Sequence, residues 1–290
     1  MDKVAALSIS DRRELFRETA ARRNLPPALV EKDFWVCWTL HQLFTIPAFK
    51  GHIVFKGGTS LSKVFAAIQR FSEDIDLIVD YEMLGFTGDR QPARCPSRNK
   101  RTAMLKEMIR ACSEYIEGPF AGELSNRFTS ILGPQGWQLR TRRSADDSAV
   151  VEFLYPLAVD ERIDYVTPFV LLEPGTHAEF IPKGSYDIQP FAAEEFPDLF
   201  NARAARLEAI TAERTFWEKA TILHAEYHRP LSKPIAGRHS AVLLYDWNSD
   251  FNADSDSWMF RVIRKQTESL IEGATATRGR DSKSGSSTLP

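Results

Sequence analysis

Cysteine is scarce in this chain, and so are the signatures of several common catalytic frameworks. Its three cysteines, Cys37, Cys95 and Cys112, are too few and too scattered for a disulfide framework or a zinc site, so a reducing cytoplasm is the expected compartment. There is no GxxxxGK[ST], no GxGxxG and no HExxH, which removes the P-loop, Rossmann and zinc-protease readings. GxSxG is also absent, leaving a serine hydrolase without support. Long apolar runs are missing too. The longest nearly uncharged stretch, Phe34 to Phe49, contains His41 and Gln42 and is too short for a membrane span, so it reads as a buried helix followed by a loop. The N-terminal MDKVAALSISDRRELFRE turns charged too soon for the apolar core of a signal peptide. No membrane partner is expected. A net charge of −2 over 290 residues neither requires nor excludes a nucleic-acid partner, because such a partner needs a basic face and not a basic total.

What is present is concentrated in residues 55–80, FKGGTSLSKVFAAIQRFSEDIDLIVD. His52 to Phe55 reads as a short buried strand, and Gly57-Gly58 allows a tight turn and close approach of a ligand. Thr59 or Ser60 is expected to cap a helix whose apolar residues Leu61, Val64, Phe65 and Ile68 recur at helical spacing. Such a helix start would present N–H groups to phosphate oxygens. The segment IDLIVD then alternates: Ile75, Leu77 and Val79 share one strand face, and Asp74, Asp76, Ile78 and Asp80 share the other. Asp74 and Asp76 are therefore placed to converge on divalent cations, Mg²⁺ or Mn²⁺, that carry a nucleoside triphosphate. Asp80 lies about 20 Å beyond Asp74 on an extended strand and reads as a strand-end acid.

The remaining pattern predicts an α+β chain. Residues 8–47 read as two helices broken at Pro26-Pro27, residues 52–80 as strand, helix and strand, and residues 102–117 as a helix. Residues 137–181 alternate in strand fashion as WQLRTR, AVVEFLYPL, DYVTPFVLLE and HAEFI. A helical segment is expected from near Arg203 through 213–228. The expected organisation is a core of mixed β-sheet and flanking helices over 1–198, a mostly helical region over 199–271, and a small, polar, disordered tail over 272–290. On the strand 169–173, Glu173 is the candidate third carboxylate, to hold metal or take a proton, with Asp164 as its rival. Lys219 sits at the edge of an apolar helical stripe of Phe216, Ala220, Leu223 and Tyr227, where a lysine either reaches water or serves an anion. Lys63 is a second phosphate candidate. His224, His228 and His239 lack metal-site spacing.

The segments PALVEKDFWV (27–36), FKGGTSLSK (55–63), RFSEDIDL (70–77), PFVLLEPG (168–175), IQPFAAEEFPDLF (188–200) and ERTFWEKATILHAEYHRP (213–230) together resemble the AbiEii/AbiGii-type nucleotidyltransferase toxins. These are similar in fold to polymerase β-like nucleotidyltransferases. The resemblance, over about residues 10–246, implies the toxin of a type IV toxin–antitoxin pair that transfers nucleotides from a nucleoside triphosphate, with transfer RNA as the expected acceptor and an antitoxin as partner. It assigns Lys219 to the triphosphate and places Asp246, in RHSAVLLYDW, on a family aspartate, although the segment around it departs from the family pattern. Gly57, Gly58, Thr59, Ser60, Lys63, Ser72 and Asp246 make up the expected nucleotide-binding set. Ser72, beside the acidic pair, is also a point where a phosphate would add like charge to metal-binding carboxylates. Residues 90–101 and 138–148, with Arg90, Arg94, Arg98, Lys100, Arg101, Arg140, Arg142 and Arg143, could supply an RNA-facing surface. The alternatives are a small-molecule nucleotidyltransferase of the antibiotic-modifying kind and a catalytically silent nucleotide- or partner-binding protein.

Overall fold

The computed structural model describes residues 1–68, 74–144, 147–161, 166–176, 180–200 and 205–227, with backbone alone over 222–227. The chain divides into two compact units, one of residues 1–65 and 71–215, the other of residues 66–70 and 216–290. No described helix is long and apolar enough to cross a membrane.

The first unit begins with α1 (Asp2–Ala5), α2 (Ile9–Arg23) and α3 (Pro27–Thr45). Ser8 caps α2 by accepting from the Asp11 N–H at 3.1 Å, and Asn24 closes it in the left-handed conformation. Pro27 then opens α3, where its missing N–H costs nothing. A sheet follows, made of β1 (Ile53–Lys56), β2 (Asp74–Val79), β3 (Gln138–Arg143), β4 (Ala149–Leu154), β5 (Val170–Gly175), β6 (Lys183–Ile188) and β7 (Ala205–Ile210). Between β1 and β2 lies α4 (Gly57–Lys63), and between β2 and β3 lie α5 (Arg98–Tyr115) and α6 (Ala121–Leu132). The short α7 (Phe191–Glu195) separates β6 from β7, and α8 (Ala212–Tyr227) follows β7.

The strand order is β3-β4-β5-β2-β1-β7-β6. β1 runs parallel to β7 and β2 parallel to β5, and the other neighbours are antiparallel. This is the mixed sheet with flanking helices that the sequence pattern predicts. Period-two alternation divides the sheet faces sharply. Ile53, Phe55, Ile75, Leu77, Val79, Val151, Phe153, Val170, Leu172, Leu207 and Ala209 all belong to the main core. α3 packs into that core through two buried tryptophans: Trp35 stacks on Tyr155 at 5.6 Å, and Trp38 lies 4.7 Å from Phe128. Each such pair adds about 0.5–1.5 kcal/mol beyond its burial. Among the described residues the opposite sheet face carries a small apolar cluster, Val54, Ile78 and Ile210, with Phe180 against it.

Several expectations are corrected. Residues 205–210 form a strand and not the start of a helix. Ala205, Leu207 and Ala209 point into the core while Arg206 and Glu208 alternate with them, because pairing with both β1 and β6 overrides the helix propensity of Ala, Arg, Leu and Glu. α4 begins at Gly57, with Lys56 at its cap position and no side-chain cap, so neither Thr59 nor Ser60 caps it. It stops at Lys63, short of Ile68, and Ala66 turns to a positive φ of 48°. Phe180 and Ile181, the described end of HAEFI, lie outside any strand. The strand there is β6, whose glycine and aspartate give it weak β-propensity. α6 and α7 have no counterpart in the sequence reading.

Candidate active site

β2 carries the two aspartates as its alternation requires. Asp74 and Asp76 are half-buried, while Ile75, Leu77 and Val79 between and beyond them are buried in the core. β5 lies parallel to β2 in a register that sets Glu173 beside Asp76 and Leu171 beside Asp74. Val170 and Leu172 face the core, so Glu173 shares the aspartates' face. Three carboxylates from two neighbouring strands thus lie on the sheet face opposite the main core, Asp76 and Glu173 about 5 Å apart along the strand-to-strand direction. Asp80, by contrast, accepts from the Glu82 N–H at 2.9 Å and lies 3.4 Å from His52 Nδ1, just past the end of β2. Asp164 lies outside the described residues.

The Gly57-Gly58 turn is fitted to this face. Gly57 has a φ of +85°, and a Cβ on it would stand 1.8 Å from Asp76 Oδ2. Only glycine leaves the Asp76 carboxylate its place against the turn. The hydroxyls of the turn point inward: Thr59 Oγ1 donates to the Asp74 carbonyl at 2.5 Å, and Ser60 Oγ donates to the Gly57 carbonyl at 2.8 Å. Both residues are fully buried. Thr59 therefore ties α4 to β2, and Ser60 bonds within α4.

Lys63 is placed elsewhere. Its ammonium pairs with the Asp33 carboxylate of α3 and stands 3.8 Å from the Phe191 ring centroid. Asp33 is fully buried and also accepts the Phe191 N–H at 2.7 Å. Burial pushes the Asp33 carboxyl above its ordinary value against the pull of Lys63. For Lys63, burial works to lower the ammonium, yet Asp33, Cys37 and Glu194 leave it raised. Contact with an ammonium and a donated N–H both favour the carboxylate, so we treat the two as an ion pair. This lysine is tied to α3 at the end of α4.

Asp33 belongs to a run of three consecutive buried charges, Glu31, Lys32 and Asp33, to which the sequence reading gave no role. Glu31 accepts the N–H groups of Ala158 and Val159 at 2.7 and 3.0 Å. Lys32 Nζ donates to the Thr167 carbonyl and hydroxyl, both at 3.0 Å, and to the Phe169 carbonyl. One helical turn thus holds the 158–159 loop, the backbone leading into the Glu173 strand, and the end of α4. Three charges inside an otherwise apolar helix were the signal, since buried charges must find partners.

Arg140 and Arg142 of β3 are exposed and lie on the carboxylates' sheet face. The register runs Arg140 to Glu152, Glu152 to Leu171, and Leu171 to Asp74. Arg142 Nε reaches Glu152 Oε1 at 2.6 Å. Arg143 is engaged with Glu117 and Asp147. In the other basic segment Arg90 pairs with Glu107 at 2.5 Å, and Arg98 opens α5.

Lys219 lies on α8 in the second unit, half-buried with Phe216 and Ala220, while Trp217 of the same helix is exposed. Ser72 and Asp246 lie outside the described residues. Among the described residues no three His, Cys, Asp or Glu side chains converge to hold a metal ion by themselves. The donors still fit a hard cation. Mg²⁺ takes one or two carboxylates and completes its shell with water and substrate phosphate, and Asp74 and Asp76 are two oxygen donors on one face, with a glycine turn against one of them.

A model of the nucleotidyl transferase AbiEii toxin family, of type IV toxin–antitoxin systems, matches residues 38–241. No curated protein matches the chain. The family match spans β1 to β7, including the Gly57-Gly58 turn and all three carboxylates. With more than half of its length covered, the chain belongs to the AbiEii family of nucleotidyl transferase toxins.

Proposed function

We propose that this nucleotidyltransferase moves a nucleotidyl group from a nucleoside triphosphate to a hydroxyl of an RNA, most simply a transfer RNA, in a Mg²⁺-dependent reaction restrained by a cognate antitoxin. The observation that carries this reading is the row of Asp74, Asp76 and Glu173 on one sheet face with Gly57 packed against Asp76.

Asp74 and Asp76 would hold the divalent ions, which when bound supply charge neutralisation at the phosphates. Backbone N–H groups of Gly57 and Gly58, in a first helical turn without a side-chain cap, would donate to phosphate oxygens. Glu173, beside Asp76, would take the proton from the attacking hydroxyl. That oxygen bonds to the α-phosphorus, the bond from that phosphorus to the bridging oxygen breaks, and pyrophosphate leaves. Lys219 is assigned to the triphosphate and Asp246 and Ser72 to the nucleotide site on their sequence motifs. Lys63 is omitted because Asp33 holds it. Arg140 and Arg142, exposed on the carboxylates' face, favour a polyanionic acceptor over a small cationic antibiotic. Both substrates are cytoplasmic molecules, and the reading therefore implies a cytoplasmic site of action.

The test is incubation of the purified chain with each labelled triphosphate, Mg²⁺ and total RNA, alongside Asp74→Asn and Asp76→Asn. Label should appear in RNA of transfer-RNA size and fall by at least about 100-fold in either variant. Label in a small-molecule acceptor alone would favour the antibiotic-modifying reading. Triphosphate binding without transfer to any acceptor would favour the silent one.

A further inference from the structure

The register of the sheet brings a fourth charged residue to the carboxylates, one that the sequence reading quoted within FKGGTSLSK without giving it a role. Lys56, the last residue of β1, stands directly opposite Asp76, and Asp76 in turn stands beside Glu173. Directly opposed residues of an antiparallel pair project to the same side with Cβ atoms about 5 Å apart. Lys56, Asp76 and Glu173 therefore form one transverse row across β1, β2 and β5. Phe55, its neighbour in sequence, is fully buried in the main core, which confirms that Lys56 faces the other way. The lysine is half-buried, and none of the ion pairs given by the described residues engages it. It also precedes Gly57 directly and occupies the cap position of α4, so its ammonium and the turn's N–H groups belong to the same short piece of backbone.

We propose that Lys56 binds the phosphates of the incoming nucleoside triphosphate at the reacting end, as a catalytic residue of the transfer; this rests on the nucleotidyl-transfer reading above. The physical need is plain. Three carboxylates on one face and a triphosphate all carry negative charge, so positive charge held close to them favours binding. The ammonium of this half-buried lysine, one strand away, adds a positive charge that no ion pair among the described residues engages. As a compact point charge with three donors, it suits phosphate oxygens whose geometry changes during displacement. The residue was missed in the sequence because it sits at the end of a four-residue strand, where only the pairing register shows what it faces.

The experiment compares wild type, Lys56→Met and Lys56→Arg. Calorimetry follows binding of each nucleoside triphosphate with Mg²⁺ and of the matching nucleoside, single-turnover assays follow transfer to RNA, and thermal unfolding is recorded for all three. Lys56→Met should weaken triphosphate binding or slow single turnover by about 10- to 100-fold, leave nucleoside binding and the unfolding midpoint unchanged, and be partly rescued by Lys56→Arg. Unchanged binding and turnover in Lys56→Met would overturn the assignment. So would a lowered unfolding midpoint with normal triphosphate affinity and turnover, which would make Lys56 a structural counter-charge to Asp76 and Glu173. If wild type neither binds triphosphate nor transfers, the parent reading fails and this one with it, a result distinct from a defect confined to the variants.

Discussion

At the scale of single residues, the sharpest constraint is the contact between Gly57 and Asp76. Gly51 offers a natural control, because its φ is +81° while a Cβ there would meet nothing within 4 Å. Gly57→Ala and Gly51→Ala both force a side-chain residue into the left-handed region, at about 1–2 kcal/mol each. Only Gly57→Ala also drives a methyl into the Asp76 carboxylate. Both variants should show lowered unfolding midpoints, but nucleotide transfer should fall by about 100-fold or more in Gly57→Ala alone. Equal activity in the two would mean that the position of the Asp76 carboxylate is immaterial to the reaction. Much of this site was legible in the sequence. Asp74 and Asp76 follow from period-two alternation, and Glu173 from its place at the end of an apolar strand. That Glu173 lies beside Asp76 was not legible, because the register of two strands far apart in the chain is set by the whole sheet. The pairing of Lys63 was hidden for the same reason: its partner, Asp33, comes from a helix that precedes the sheet.

At the scale of elements, α3 is the part that holds the site together from beneath. Its Glu31, Lys32 and Asp33 each fasten a different segment, and two of these segments, the approach to β5 and the end of α4, carry Glu173 and the glycine turn. Removing one partner of a buried ion pair leaves an uncompensated charge, a loss of about 3–5 kcal/mol. Asp33→Asn should therefore lower stability to denaturant by that order, whereas Asp33→Asn combined with Lys63→Met should lose clearly less than the sum of the two single changes. Additive losses would show that the two groups do not interact in solution. The break between α2 and α3 was readable from Pro26-Pro27 and the existence of α5 from its periodicity, but α5 starts at Arg98, ahead of the expected start at Thr102. β7 was not, since ARLEAI consists of good helix formers and becomes a strand only because β1 and β6 flank it. β6 escaped because its glycine and aspartate look like loop residues until β7 supplies the pairing.

At the scale of the whole molecule, the proposed reaction asks a near-neutral chain to handle two polyanions at once. Arg140 and Arg142 share the carboxylates' sheet face, and Lys56 stands opposite Asp76 on the same face, where in the proposed reaction it and divalent ions would offset the carboxylates' charge. The reaction type was legible from six short motifs; the acceptor was not, because exposed arginines select for phosphate and not for a particular RNA. Growth provides the test that joins site, reaction and family. A toxin that consumes triphosphates to modify an RNA needed for translation should slow a bacterial host when expressed without its antitoxin. Asp74→Asn/Asp76→Asn changes two carboxylates to amides of nearly the same volume and should fold normally while losing the metal site. Cells expressing this double variant at equal protein level should grow as fast as cells carrying an empty vector, with wild type slowing growth at the same level. A growth defect that persists in the double variant would locate the toxicity in binding or aggregation, and nucleotide transfer would no longer explain it.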